Sequence, residues 1–126
     1  MQLPDDLVVR LARVVSDVEA TAGVDLNFRA EPYSNDGRSC MVWDDSGSGC
    51  GIGFREVAGE EEIAWLADQI QEVVIETRWH SGINPVAWPE CPVHRTHPPG
   101  ATVDSGQARW TCPKDVTTSF AIGSLR

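Results

Sequence analysis

Lysine is nearly missing from this sequence: Lys114 is the single example, beside nine arginines. Residues 1–90 carry six Arg against seventeen Asp and Glu, a formal charge of −11, and residues 91–126 carry three Arg and one Lys against two Asp, or +2. A body so acidic repels a phosphate backbone, which excludes general nucleic-acid binding by its first 90 residues and leaves only the tail for an anionic partner. Long apolar runs are absent too, and nothing approaches the roughly 18 residues a membrane span needs. The opening stretch MQLPDDLVVRLARVV starts acidic and turns amphipathic, unlike a secretory signal, so a soluble, cytoplasmic chain is expected. Also missing are H-E-x-x-H, G-x-S-x-G, a phosphate-binding loop and a dinucleotide fingerprint; GSGCGIGF is glycine-rich but sits in a hairpin context. The paired H-x-E and P-C-x-x-C motifs of zinc nucleobase deaminases do not occur either. These absences weigh against an enzyme without deciding the matter.

What is present suffices for a folded core: 126 residues, 41% hydrophobic, with five tryptophans. That length suits one ordinary domain, or a domain with a small appendage. Pro4, Asp5 and Asp6 make a helix start, because proline fits the first turn and acids favour the positive end of the helix dipole. Leu7, Leu11, Val14, Val18 and Ala22 recur at three- and four-residue spacing, with Val8 and Val15 widening the stripe, and Gly23 serves as C-cap. The helix is expected over 4–22. Val24, Leu26, Phe28 and Ala30 alternate with polar residues and predict a strand over 24–30.

Strands 40–44 and 50–57 flank the turn-rich DSGSG and predict a hairpin. With Asp44 opposite Cys50, Val42 would face Ile52 and Cys40 would face Phe54, while Met41 and Trp43 would lie across from Gly53 and Gly51. In that register a Cys40–Cys50 disulfide is disfavoured and both cysteines are expected to pack as small apolar groups. A second helix is expected over 60–80, buried through Ile63, Leu66, Ala67, Ile70, Val73, Val74 and Thr77 and ended by Gly82. Its opening Glu60, Glu61 and Glu62 are expected to be solvated charges at the helix's positive end rather than a catalytic cluster.

Residues 83–126 form a connector and tail, after an α+β body at 1–82. WPECPVHRTHPP, residues 88–99, holds one cysteine and two histidines, and WTCPKD supplies another cysteine. Zinc prefers tetrahedral thiolate and imidazole ligands, and a C-x₂-H spacing lets one tight turn present two of them. Cys91, His94, His97 and Cys112 are therefore the expected ligands of a structural zinc ion. Asp115 stands in reserve and His80 is a more distant option. In a reducing compartment cysteines point to metal rather than to disulfides. The tail has few large apolar groups, mainly Trp110, Phe120, Ile122 and Leu125, and a metal is one remedy for so small a core.

The pattern W-P-x-C-P-x-H-x-x-H-P, then W-x-C-P and a closing G-x-L, resembles a group of small actinobacterial proteins of no assigned activity. LADQIQEVVIETRW is similar to the helix that precedes the motif in that group. The resemblance spans about the last 65 residues, and the scarcity of lysine beside arginine suits a GC-rich genome. It implies the same four ligands, Cys91, His94, His97 and Cys112, and nothing about a substrate.

The expected architecture is α+β: helix, strand, hairpin and helix, with both helices on one face of a small antiparallel sheet, then a zinc-stabilised β-hairpin tail. The expected function is recognition of a protein partner through a surface rich in Trp79, Trp88 and Trp110. Two alternatives stay open. One is a zinc hydrolase with an open coordination site; the other is a nucleic-acid-associated factor using Arg95, Arg109 and Lys114.

Overall fold

The computed structural model describes residues 5–30, 39–55, 59–94 and 97–126. Pro4, the loop at 31–38, the end of the expected 50–57 strand and Arg95 lie outside these residues. Helix α1 runs Asp5–Thr21 and α2 runs Gly59–His80; strands are β1 Asn27–Ala30, β2 Ser39–Trp43, β3 Gly49–Gly53, β4 Gly100–Asp104, β5 Gln107–Thr111 and β6 Ser119–Ala121. The α+β class is as expected, but the described residues form two three-stranded antiparallel sheets, β1-β2-β3 and β4-β5-β6, where one sheet and a tail hairpin were anticipated. The sequence already marks residues 118–122 as a final short strand, and they contain β6, which pairs Phe120 with Trp110 and Ser119 with Thr111. The unanticipated strand is β4, which pairs along its length with β5.

The helical stripe of α1 is buried as its spacing demands: Leu7, Leu11, Val14, Val18 and Ala22 are all core, whereas Val8 is 49% exposed and does not widen it. Gly23 and Gly82 close the two helices in the left-handed conformation, at φ 71° and 70°. Glycine adopts it without a Cβ clash. The first strand is shorter than its alternation suggested, with Val24 and Leu26 packing on the core from before β1.

The hairpin register differs from expectation by two residues. Val42 faces Cys50, Cys40 faces Ile52 and Trp43 faces Gly49. Asp44 causes the shift. Its backbone N–H donates to the Ser48 carbonyl at 2.9 Å, and its carboxylate takes the N–H groups of Ser46 and Ser48 at 2.9 and 3.0 Å. The turn closes over residues 45–47, with Gly47 at φ 90°, and Gly49 joins the ladder opposite Trp43. A slip of two keeps every side chain on its face, so Cys40, Val42 and Ile52 still point inward. Cys50 does not pack as an apolar group; it reaches the sheet margin and is exposed. Trp43 does cover glycine: a Cβ on Gly49 would stand 2.6 Å from its ring.

One cluster of buried side chains joins both ends of the chain. Trp88, Ala108, Trp110 and Ile122 pack with Leu11, Val14, Leu66, Ile70 and Val74. Trp88 and Trp110 are 1% and 0% exposed and meet edge-to-face at 5.5 Å, so neither belongs to the surface assigned to them from sequence. Their large apolar area draws them inward, and each indole N–H finds a polar partner there: Trp88 donates to Thr21 Oγ1 and Trp110 to Asp17 Oδ2, both at 2.9 Å. The acidic opening of α2 is not merely solvated. Glu60 accepts from Arg13 at 2.6 Å and from the Ala108 N–H at 2.9 Å, while Glu62 is 3% exposed and accepts from the Arg55 N–H.

Candidate metal centre

Two loops supply the site. The first follows Trp88 and is clamped by α2: the buried Gln71 amide donates to the carbonyls of Trp88 at 3.2 Å and Pro99 at 2.6 Å. With both ends held, Cys91 through His94 curls into a turn in which the His94 backbone N–H donates to Cys91 Sγ at 3.3 Å. The second loop leaves β5 at Cys112, whose backbone N–H donates to the Thr118 carbonyl at 2.9 Å.

These loops bring Cys91, His94, His97 and Cys112 together, their ligand atoms all within 4.8 Å of one another. Cys112 Sγ lies 3.3 Å and Cys91 Sγ 3.9 Å from His94 Nδ1. In tetrahedral zinc sites, bond lengths near 2.3 Å to sulfur and 2.0–2.1 Å to nitrogen separate neighbouring ligand atoms by about 3.5 Å. The spacing therefore fits a four-coordinate ion after small side-chain movements. Both cysteines are fully buried.

His97 provides an independent sign. Its Nε2 is buried without a hydrogen-bond partner, while Nδ1 faces the Pro98 carbonyl at 3.4 Å. An unpaired buried nitrogen costs about 1–3 kcal/mol. A carbonyl at Nδ1 favours the proton there and leaves Nε2 as a lone-pair donor, the usual outer support of a metal-bound imidazole. His94 turns Nδ1 toward the two sulfurs instead, with its ring 5.1 Å from that of His97. Burial pushes the Cys91 thiol up, but the N–H groups of His94 and Val93 and the Cys112 side chain outweigh it, against an opposing push from Asp115, and hold it below its ordinary value. Thiolate is the form a metal needs.

Asp115 is engaged elsewhere. Its Oδ1 takes the Thr117 N–H and hydroxyl at 3.1 and 2.6 Å, and its Oδ2 takes the Thr118 hydroxyl at 3.0 Å. Thr117's hydroxyl first, then its N–H and the Thr118 hydroxyl, keep the carboxyl below its usual range. It shapes the turn after Cys112. His80 ends α2, exposed, with Glu76 at 3.7 Å. Gln71 and Asp17 were not singled out from sequence, yet a signal existed: each falls on the buried arc of its helix, four residues beyond Ala67 and three beyond Val14 respectively.

These features define a small α+β chain with a two-cysteine, two-histidine group able to hold a metal ion; among the described residues no other such group occurs. Among the described residues, no helix is long and apolar enough to cross a membrane. Compared with family models, curated proteins and solved structures, the chain gives no match.

Proposed function

We propose that this is a small zinc-binding protein in which a closed four-ligand site fixes the tail and the folded surface recognises another protein. The observation that carries the metal reading is the convergence of four ligand atoms around the unpaired His97 Nε2. Two thiols with two imidazoles favour zinc over calcium or magnesium, which take oxygen donors. A structural ion is favoured over a hydrolytic one because four protein ligands leave no position for a reacting water. All four cysteines are free thiols, in keeping with a reducing, cytoplasmic setting. The interaction role draws its support from an indole left in solvent at Trp79.

Protein purified without chelator is expected to contain one zinc per chain by elemental analysis. Its cobalt-substituted form should show the intense visible bands of a tetrahedral ion and two sulfur-to-metal transitions. Less than stoichiometric binding after zinc reconstitution would remove the site. Weak five- or six-coordinate bands would instead favour an open, hydrolytic ion.

A further inference from the structure

Three tryptophan rings reach the surface, and two are accounted for within the chain. Trp43 lies over Gly49. Trp65 donates its indole N–H to the Gly53 carbonyl at 3.0 Å and carries the Arg55 guanidinium 4.8 Å from its ring centroid. Trp79 differs: it is 68% exposed, and among the described residues its ring makes no hydrogen bond or ring contact. It forms one wall of a groove of about 360 Å³ with Ile75 and Val86, edged by Glu72 and Glu76. Residues 72, 75, 76 and 79 share one outward face of α2, because side chains three and four apart are neighbours on a helix. The opposite wall is held in place by Arg78, whose Nε and Nη2 both donate to the Pro85 carbonyl, next to Val86. A groove fixed in this way needs little ordering when a partner arrives.

We propose that this groove docks a basic amphipathic segment of a partner protein. An apolar side chain enters between Ile75 and Val86, and a Lys or Arg cation settles over the Trp79 indole face beside the exposed Glu72 and Glu76. An indole face attracts cations and neighbouring carboxylates reinforce it. The net charge of −11 over residues 1–90 steers basic partners inward and repels nucleic acid and anionic lipid. A second copy of the chain would oppose one acidic rim with another, which disfavours self-docking. The inference deepens the protein-recognition function proposed above and rests on it.

The test is a titration of zinc-loaded protein with a dye-labelled leucine–lysine amphipathic peptide, followed by fluorescence anisotropy at physiological salt. The control peptide carries glutamate in place of lysine. Saturable one-to-one binding of the basic peptide alone is expected, weakened at least tenfold in Trp79→Ala and in the double variant Glu72→Gln, Glu76→Gln. Circular dichroism and zinc content should be unchanged in these exposed variants. Equal affinity for wild type and Trp79→Ala, or no saturable binding, overturns the proposal. So does dimerisation in sedimentation that Trp79→Ala abolishes, since a second copy would then be the occupant. A chain that binds some protein independently of Trp79 loses this groove but keeps the broader function; a chain that binds no protein loses both.

Discussion

Asp17 shows how one side chain can hold distant segments. It is fully buried in α1 and accepts three hydrogen bonds: from Trp110 Nε1 at 2.9 Å, the Gly123 N–H at 2.8 Å and the Leu125 N–H at 3.0 Å. Removing an acceptor strands its donors, and hydrogen bonds to charged groups contribute about 1.5–3 kcal/mol each, not additively. Asp17→Ala is expected to cost about 3 kcal/mol or more, read as a lower denaturation midpoint at unchanged slope. Asp17→Asn should cost less, because an amide oxygen still accepts. Arg78 plays a similar part, donating to the carbonyls of Ala22 and Pro85. Polar residues inside an apolar arc were visible in the sequence, but their partners were not, since these lie up to 108 positions away.

At the scale of elements, α2 links the rest. It packs against α1, β3, β4 and β5, and its Gln71 grips both ends of the loop that carries three of the four residues able to hold a metal. Gln71→Ala releases both ends of that loop without touching a ligand atom. Zinc binding is therefore expected to weaken by up to about tenfold, the low end of what loss of a direct outer-shell partner costs, measured by chelator competition at constant fold. Glu60, at the start of α2, makes a pH-dependent tie. The Ala108 N–H, then the Arg13 side chain, hold its carboxyl below the ordinary 4.5. A depressed value means the ionised form is favoured in the folded chain. Its stabilisation is complete above about pH 4.5 and fades as pH falls through the lowered value. Glu60→Gln should therefore flatten the loss of stability on the acid side while changing its slope little near neutrality, as followed by denaturant titrations across pH. Helix limits were legible to within a residue or two because period and caps agree. The hairpin register was not, because a turn ordered by Asp44 and a looser turn have nearly the same composition.

For the molecule as a whole, Trp88, Trp110 and Ile122 embed the tail in the common core, and in the proposed reading a metal ion held by the adjoining Cys91, His94, His97 and Cys112 clamps it a second time. Chelation is thus expected to lower the thermal midpoint by several degrees without erasing the core. Hydrogen exchange should show protection lost first around Cys91–His94 and Cys112–Thr118, with Leu11–Val18 of α1 protected longest. Simultaneous loss of protection everywhere would mean that metal and core form one cooperative unit.

The sequence alone determined the α+β class, both helices and their buried stripes, and the four side chains that could meet at a metal, since these follow from periodicity, caps and ligand chemistry within short windows. Only the tertiary structure decided that the tail forms a three-stranded sheet, that Trp88 and Trp110 turn inward while Trp79 stays out, and that Asp115 shapes a turn instead of joining the cysteine and histidine group. Such outcomes depend on which buried polar groups and apolar surfaces meet across long stretches of chain, and local pattern carries no record of those meetings.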